Sequence, residues 1–258
     1  MRLRYGCLAS GSKGNCHALT DGERILLVDA GLSLLQIRTR LGVLGWDPGR
    51  VAGVALTHEH SDHIAALPVL LRRTDWPLFA TPETRVALEG ALGLDVPTHR
   101  WRSLRPGQAV DWEGWRILPF SIPHDAADPV AFRIEVQGEA VAVVTDLGHP
   151  TALVADHCRD LDLLALEANH DVQMLREGSY PPLLKARILS RVGHLSNAAM
   201  AELLERIRSP RLRSVVLAHL SEQNNLPELA RFAADEVLRD TGTVITVACQ
   251  RAAVAPEG

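Results

Sequence analysis

Cysteine is scarce in this chain of 258 residues, and the four thiols, Cys7, Cys16, Cys158 and Cys249, are spread over its length. None forms C-x-x-C, which argues against a disulfide framework and against a cysteine-type structural zinc site. Buried, reduced thiols in a cytoplasm are the simplest reading. Lysine is nearly absent, so arginine supplies almost all the positive charge. Arginine suits bidentate phosphate contacts. The formal net charge of −4 argues against a uniformly basic nucleic-acid surface, while leaving a local basic groove open. No apolar run approaches the length of a bilayer-spanning helix, so no membrane segment is expected. Met1-Arg2-Leu3-Arg4-Tyr5 leads into no long apolar segment, so no secretory signal is expected. Linkers, low-complexity tracts and charge runs are missing too. With 47% apolar and 22% charged residues, a single globular domain over residues 1–258 is expected.

What the chain does have is concentrated in Thr57-His58-Glu59-His60-Ser61-Asp62-His63. Three imidazoles and two carboxylates fall there, directly after the apolar run 51–56. A short run rich in Val, Leu and Ala reads as a buried strand. Residues 64–71 are apolar and resume a helical period, so the cluster sits on the turn from strand end to helix start. Imidazole and carboxylate are the ligand set of zinc and of harder transition metals. His58 and His60 point the same way if the backbone between them stays extended. Asp62 and His63 then turn towards a neighbouring point, so the turn can feed two metal ions. A lone H-x-H would read as a solvated turn; H-x-H-x-D-H behind an apolar strand is much more specific.

Residues 3–9 read as a first strand. Ser10-Gly11-Ser12-Lys13-Gly14-Asn15 follows as a small-residue loop able to offer N–H and hydroxyl groups to an anion. Residues 16–20 and 24–29 pair as a hairpin about Asp21-Gly22. Ser33 caps a helix through about Leu44. Strand 51–56 comes next, then helix 64–71, strand 77–81 and helix 82–92, followed by the less regular 101–115. Strand 117–122 runs into Pro123-His124-Asp125, and a hairpin of 130–136 and 140–145 ends at Asp146. Helix 151–158, strand 161–166, helices 183–191 and 198–208, strand 214–218, helix 227–239 and strand 243–248 complete the series. Hairpins that give way to strands alternating with helices, twice over, predict an α+β chain. Its two packed sheets would carry helices outside, as an αββα four-layer sandwich.

Ligand-competent residues recur at the ends of the apolar strands: Asp29, the turn 58–63, His124, Asp146 and His219. Strands of a sandwich end along a shared edge, so these side chains can meet there. Each alone is ambiguous, since Asp146 ahead of Gly148 is most often a turn former. Taken together and in this order, they resemble the five motifs of the metallo-β-lactamase superfamily. The resemblance implies the metallo-β-lactamase-type αββα fold. It implies that His58, His60 and His124 hold one ion and that Asp62, His63 and His219 hold a second, with Asp146 bridging. A carboxylate has two oxygens and suits that bridging role. Asp29 is implied as a support that fixes the histidine loop by hydrogen bonds. Two divalent ions would ionise a bridging water and clamp the attacked and leaving groups, with Asp62 orienting the nucleophile, so the chemistry is hydrolysis. The metal is open between manganese and zinc, with iron a third choice.

Further segments narrow the class. They are Leu8-Ala9-Ser10-Gly11-Ser12-Lys13-Gly14-Asn15-Cys16, Leu166-Glu167-Ala168-Asn169-His170-Asp171, Gly193-His194-Leu195-Ser196-Asn197 and the run from Ala218-His219 to Asn224-Asn225. With Tyr180-Pro181-Pro182, they resemble the YycJ/WalJ-type branch of that superfamily over nearly the whole chain. The usual E-S-N-H-D of that branch has Ala168 in place of Ser here. The likeness implies a metal-dependent phosphodiesterase, specifically a 5′-to-3′ DNA exonuclease, with DNA as substrate. Ser12, Asn15, Asn169, His170, His194 and Ser196 are donors suited to phosphate oxygens. His170 or His194 could protonate a leaving alkoxide, which makes Asp62, His194 and His170 the catalytic candidates. Lys185, Arg187, Arg191, Arg206, Arg208, Arg211 and Arg213 could track a nucleic-acid backbone or face solvent. No large block between Asp146 and His219 corresponds to the β-CASP insertion of many nucleic-acid-processing relatives. Competing readings are a small ester or thioester hydrolase, a phosphodiesterase for cyclic or short nucleotides, and a non-catalytic binding protein.

Overall fold

A computed structural model describes residues 3–256. Strands β1 (Arg4–Ala9), β2 (Cys16–Thr20) and β3 (Ile25–Val28) form an antiparallel meander. Strands β4 (Val51–Ala55), β5 (Leu78–Ala80) and β6 (Trp101–Ser103) extend it in parallel, making one six-stranded sheet in chain order. Helices α1 (Leu34–Val43), α2 (Ser61–Ile64), α3 (Leu67–Arg73) and α4 (Pro82–Leu92) make the crossovers. The second sheet repeats the plan. Strands β7 (Val110–Trp112), β8 (Trp115–Ser121), β9 (Val130–Val136) and β10 (Glu139–Val144) run antiparallel. Strands β11 (Leu163–Glu167), β12 (Ser214–Ala218) and β13 (Val244–Val247) continue in parallel. Their crossovers carry α5 (Ala152–His157), α6 (Val172–Glu177), α7 (Pro182–Ile188), α8 (Asn197–Ile207) and α9 (Pro227–Leu238).

The layers follow from which side each strand residue faces. Leu26 and Val28 of β3 meet Phe132, Val143 and Val216 between the sheets. Ile25 and Leu27, on the opposite face, pack with Ile37, Leu41, Leu67 and Leu70 of the first helical layer. Leu164, Leu166 and Leu217 pack with Met200, Leu203, Leu204 and Ala230 of the second. Strands covered on both faces read as unbroken apolar runs, which is why Ile25–Val28 and Ser214–Ala218 are buried at every position. The expected four-layer α+β sandwich is the one observed.

Ser33 caps α1 as expected, its hydroxyl accepting from Gln36 N while the Gln36 side chain returns to the Ser33 backbone. The helix expected over 64–71 is instead two pieces, α2 and α3. Pro68 lies in the first turn of α3 and cannot continue a helix from α2. The Ala66 N–H between them bonds to Ala30 O at 2.8 Å. The helix expected over 183–191 stops at Ile188, where the chain turns in to Gly193. One helix was not expected: α6, capped by the Asp171 carboxylate, which accepts from Met174 N at 2.9 Å.

Candidate metal centre

The register of the parallel strands brings the chemistry to one edge. Val28 pairs with Ala55, and Val144 with Leu166. Glu167 pairs with Ala218. The residues just past these ends are therefore neighbours: Asp29 after β3, the turn 57–63 after β4, Asp146 after β10 and His219 after β12. His124 arrives from the loop after β8. Asp29, Asp146 and His219 turn the chain in the left-handed region, with φ of 63°, 58° and 55°. That region costs a non-glycine residue on the order of 1 kcal/mol or more, and such strain gathers at functional sites. Gly31 serves the same corner. A Cβ there would overlap the Asp62 carbonyl, and that oxygen accepts from Asn15 N at 2.7 Å.

The seven residues that the family likeness marks as ligands come together. His58, His60 and His124 each offer a ring nitrogen within 4.8 Å of the others, and His58, His63 and Asp146 form a second such group. Asp146 joins the halves: Oδ2 is 3.1 Å from His63 Nε2, and Oδ1 is 3.1 Å from His219 Nδ1 and 3.9 Å from His124 Nε2. Asp62 Oδ2 stands 3.5 Å from His63 Nε2 and 3.9 Å from His219 Nε2.

Two observations test whether this set suits a cation. His58 Nε2 and His219 Nε2 are buried in the cluster with no hydrogen-bond partner, and buried polar atoms left so call for a partner. The protonation pattern agrees. Burial holds His58 well below its ordinary value, helped by the charge of His63, so it presents a neutral ring. Burial opposes charge on His63 and His219 as well, but there the carboxylates win. Asp146 and Asp29 push His63 well above its ordinary value, and Asp146 with Glu167 lifts His219 to about 10. Anions that hold protons on two neighbouring imidazoles will hold a divalent cation in their place. The cluster is a divalent-metal site by its donor chemistry.

Two buried carboxylates lie beneath the cluster, and each heads one half of a supporting network that cuts across the two ligand sets. In the first, Asp29 Oδ2 bonds to His63 Nδ1 at 2.7 Å, and both Asp29 oxygens accept from Thr57 Oγ1. Thr57 Oγ1 in turn meets His58 Nδ1 at 2.9 Å. Each ring is thereby turned so that Nε2 faces the cluster. In the second half, Glu167 is fully buried and accepts from Leu147 N and Leu195 N. Its Oε1 lies 2.8 Å from His194 Nδ1 and 3.0 Å from His219 Nδ1. Sequence reasoning missed Glu167 and Thr57 as site residues. The available signal for Glu167 was its place at the end of a buried strand, the position shared by the other ligands.

The residues expected to meet phosphate divide. His194 is partly open, its side chain 22% exposed and 3.6 Å from Asp146 Oδ1. Ser12 is exposed. Asn15 is fully buried, its Nδ2 on Asp62 Oδ2 at 3.1 Å and its Oδ1 accepting from Gly11 N. Asn169 is buried and donates to His219 O at 2.9 Å. These two amides therefore support ligands from beneath instead of facing an opening. Ser196 caps α8, accepting from Ala199 N. His170 is buried with both ring nitrogens unpartnered, and burial lowers it to about 4.

The basic residues also divide. Arg211 and Arg213 pair with Asp162, Arg208 with Glu205, and Arg206 bonds to Pro150 O. Asp162 precedes β11 and Arg213 precedes β12, at the strand ends opposite to the metal cluster. By contrast Arg187 bonds to Asp125, the residue after His124, and Arg191 to His149.

Four layers with this cluster at their edge define a hydrolase of the metallo-β-lactamase fold. The family pattern described as a beta-lactamase superfamily domain matches residues 24–220, and the chain belongs to that superfamily. It is 36% identical to exodeoxyribonuclease YycJ of Bacillus anthracis over 242 residues, covering 94% of this chain and 91% of that protein. It is 38% identical to exodeoxyribonuclease WalJ of Streptococcus pneumoniae over 231 residues, covering 89% and 86%. Among solved structures, the metallo-beta-lactamase fold protein YhfI of Bacillus subtilis superposes with a TM-score of 0.72. That match has 16% identity and covers 98% of this chain and 99% of the other, a likeness of fold. No helix among the described residues is long and apolar enough to cross a membrane.

Proposed function

We propose that this protein is a metal-dependent phosphodiesterase that degrades DNA from a 5′ end, working in the cytoplasm. The observation that carries the reading is the pair Glu167–His194 beside Asp146, 2.8 Å within the pair and 3.6 Å across to the aspartate. His58, His60 and His124 would hold one divalent ion, and Asp62, His63 and His219 a second, with Asp146 reaching both. Manganese or zinc suits this imidazole and carboxylate set, with iron a further choice. When bound, the ions supply an acidified water and neutralise phosphate charge.

The chain's own groups supply the rest. Asp62 is anchored by Asn15 and has its side chain 22% exposed, so one carboxylate oxygen can orient the nucleophile. His194 gives its proton to the departing alkoxide. Burial works against charge on His194, but Glu167 outweighs it and raises the pKa, which favours the protonated ring. His170 is lowered to about 4 and is uncharged near neutral pH, which favours His194 over His170 as the acid. The full-length relatives named as exodeoxyribonucleases support DNA as the substrate. The four free thiols suit a reducing compartment, with Cys7, Cys16 and Cys158 buried as expected and Cys249, against expectation, exposed. A second reading, hydrolysis of short or cyclic nucleotides, draws on the few cations near the centre.

The test is a panel of DNA ends with the purified protein and added Mn²⁺ or Zn²⁺. Nucleotide release from 5′-phosphorylated DNA, lost in His58→Ala and Asp146→Asn, is the expected result. Thioester turnover without release from any DNA end would overturn the reading. Cleavage of only short or cyclic nucleotides would replace it with the second.

A further inference from the structure

We propose that Arg187 is a substrate-phosphate contact, held beside the metal centre by Asp125 until a phosphodiester takes that carboxylate's place. The proposal rests on the phosphodiesterase reading and goes beyond it by naming the group that grips the strand.

Arg187 Nε donates to Asp125 Oδ2 at 2.6 Å. Asp125 Oδ1 lies 3.4 Å from His124 Nε2. That same ring nitrogen stands 3.4 Å from His60 Nδ1 and 3.9 Å from Asp146 Oδ1. One carboxylate therefore separates the guanidinium from the cluster. No other arginine or lysine has a partner so close to the ligands among the described residues.

The packing indexes Arg187 to the chemistry. His124 Nδ1 bonds to Gly193 O at 3.2 Å, and His194 N bonds to Ile188 O at 3.0 Å. A Cβ at Gly193 would overlap the Arg187 and Ile188 carbonyls, so only glycine lets the last turn of α7 pack this tightly. The helix end, His124 and His194 are thus packed and hydrogen-bonded together.

Charge and donor count give the function. The Arg187 side chain is 56% exposed and Asp125 is 30% exposed. Among the described residues Asp125 is the one hydrogen-bond partner of the Arg187 side chain, and it uses one of five guanidinium N–H groups. The free donors match the two oxygens of a phosphodiester. An incoming phosphate would otherwise meet the Asp125 carboxylate at the rim. Exchanging one anion for another on Arg187 keeps the cation paired in both states.

The experiment uses metal-loaded full-length protein and a 5′-phosphorylated oligonucleotide with phosphorothioate linkages, read by fluorescence anisotropy across a salt series. Turnover of the normal oligonucleotide is measured in parallel. Arg187→Ala should weaken binding about tenfold and flatten the slope of log affinity against log salt by about 0.7, one phosphate contact. Arg187→Lys should recover part of the affinity and most of the slope. Asp125→Asn should bind at least as tightly as the wild type. The double variant Arg187→Ala/Asp125→Asn should stay weak. Melting temperature and metal content of each variant check that fold and centre persist.

Recovery of full affinity in the double variant would show that Arg187 only cancels Asp125, and the proposal would fail. An Arg187→Ala protein with wild-type affinity and salt slope would sink it as well, leaving the phosphodiesterase reading intact. A wild-type protein that neither binds nor cleaves the oligonucleotide removes both.

Discussion

The two carboxylate networks beneath the metal cluster are built on one plan and differ at one point. In each, a carboxylate buried at a strand end grips two histidine positions. Asp29 holds His63 directly and His58 through Thr57, with His63 and Asp29 both wholly shielded from solvent. Glu167 holds His219, also buried, and His194, which is 22% open. In the proposed mechanism the first network serves only to aim ligands. The second would aim one ligand and also hold His194, whose pKa Glu167 raises, where it reaches solvent.

The largest effect should come from the residue shared by both halves. Asp146→Asn removes the charge facing His63 and His219, and activity should drop by on the order of a thousandfold or more. Steady-state assay with metal analysis checks this.

Asp29→Asn and Glu167→Gln should each cost about 10–100-fold in metal affinity, by titration against a chelator. Their pH profiles should separate them. Glu167 raises the His194 pKa, so its neutralisation lowers that pKa and shifts the alkaline limb of kcat to lower pH. Asp29→Asn should leave that limb in place. Equal shifts in both variants would erase the distinction between the halves.

A smaller effect should appear in stability, away from both supports. His17 lies buried between the sheets with Tyr5 OH 2.6 Å from its Nδ1. Burial, then the charge of His63, lower it from 6.5 to about 3. The unfolded chain therefore binds the extra proton between those values, and stability is lost as pH falls from 6.5 towards 3. The slope is at most about 1.4 kcal/mol per pH unit. His17→Gln should flatten the acid limb of a denaturant-midpoint profile. The smallest effect is expected at Arg211, paired with Asp162 far from the cluster. Arg211→Ala should leave the salt dependence of DNA binding unchanged and move stability by less than about 0.5 kcal/mol.

The halves were not equally legible in sequence. The turn 57–63 announces itself because its ligands are neighbours along the chain, and Asp29 follows as the polar residue that ends the strand beside it. Asp146 and His219 stand alone, yet each ends an apolar strand, and strand order along a sheet edge does the rest. Glu167 also ends a strand, but its partners lie 27 and 52 residues away, a pairing no local pattern encodes. The amides of Asn15 and Asn169 looked like free donors because the direction of a side chain depends on tertiary packing. The late arginines cluster along the chain and scatter in space, since a crossover carries its two ends to opposite edges of a sheet. The α3 break was present in the sequence as Pro68, and the α6 cap as Asp171.

The left-handed corners at Asp29, Asp146 and His219 restrict what this edge can become. Glycine, asparagine and aspartate tolerate that backbone best, and only aspartate among them brings a charge. Asparagine is therefore the substitution that silences either aspartate without disturbing the bend. Alanine would mix a lost carboxylate with a misfitted main chain. At His219 the same choice holds: histidine, like asparagine and aspartate, is enriched in that backbone region, so asparagine there would remove the imidazole and keep the bend.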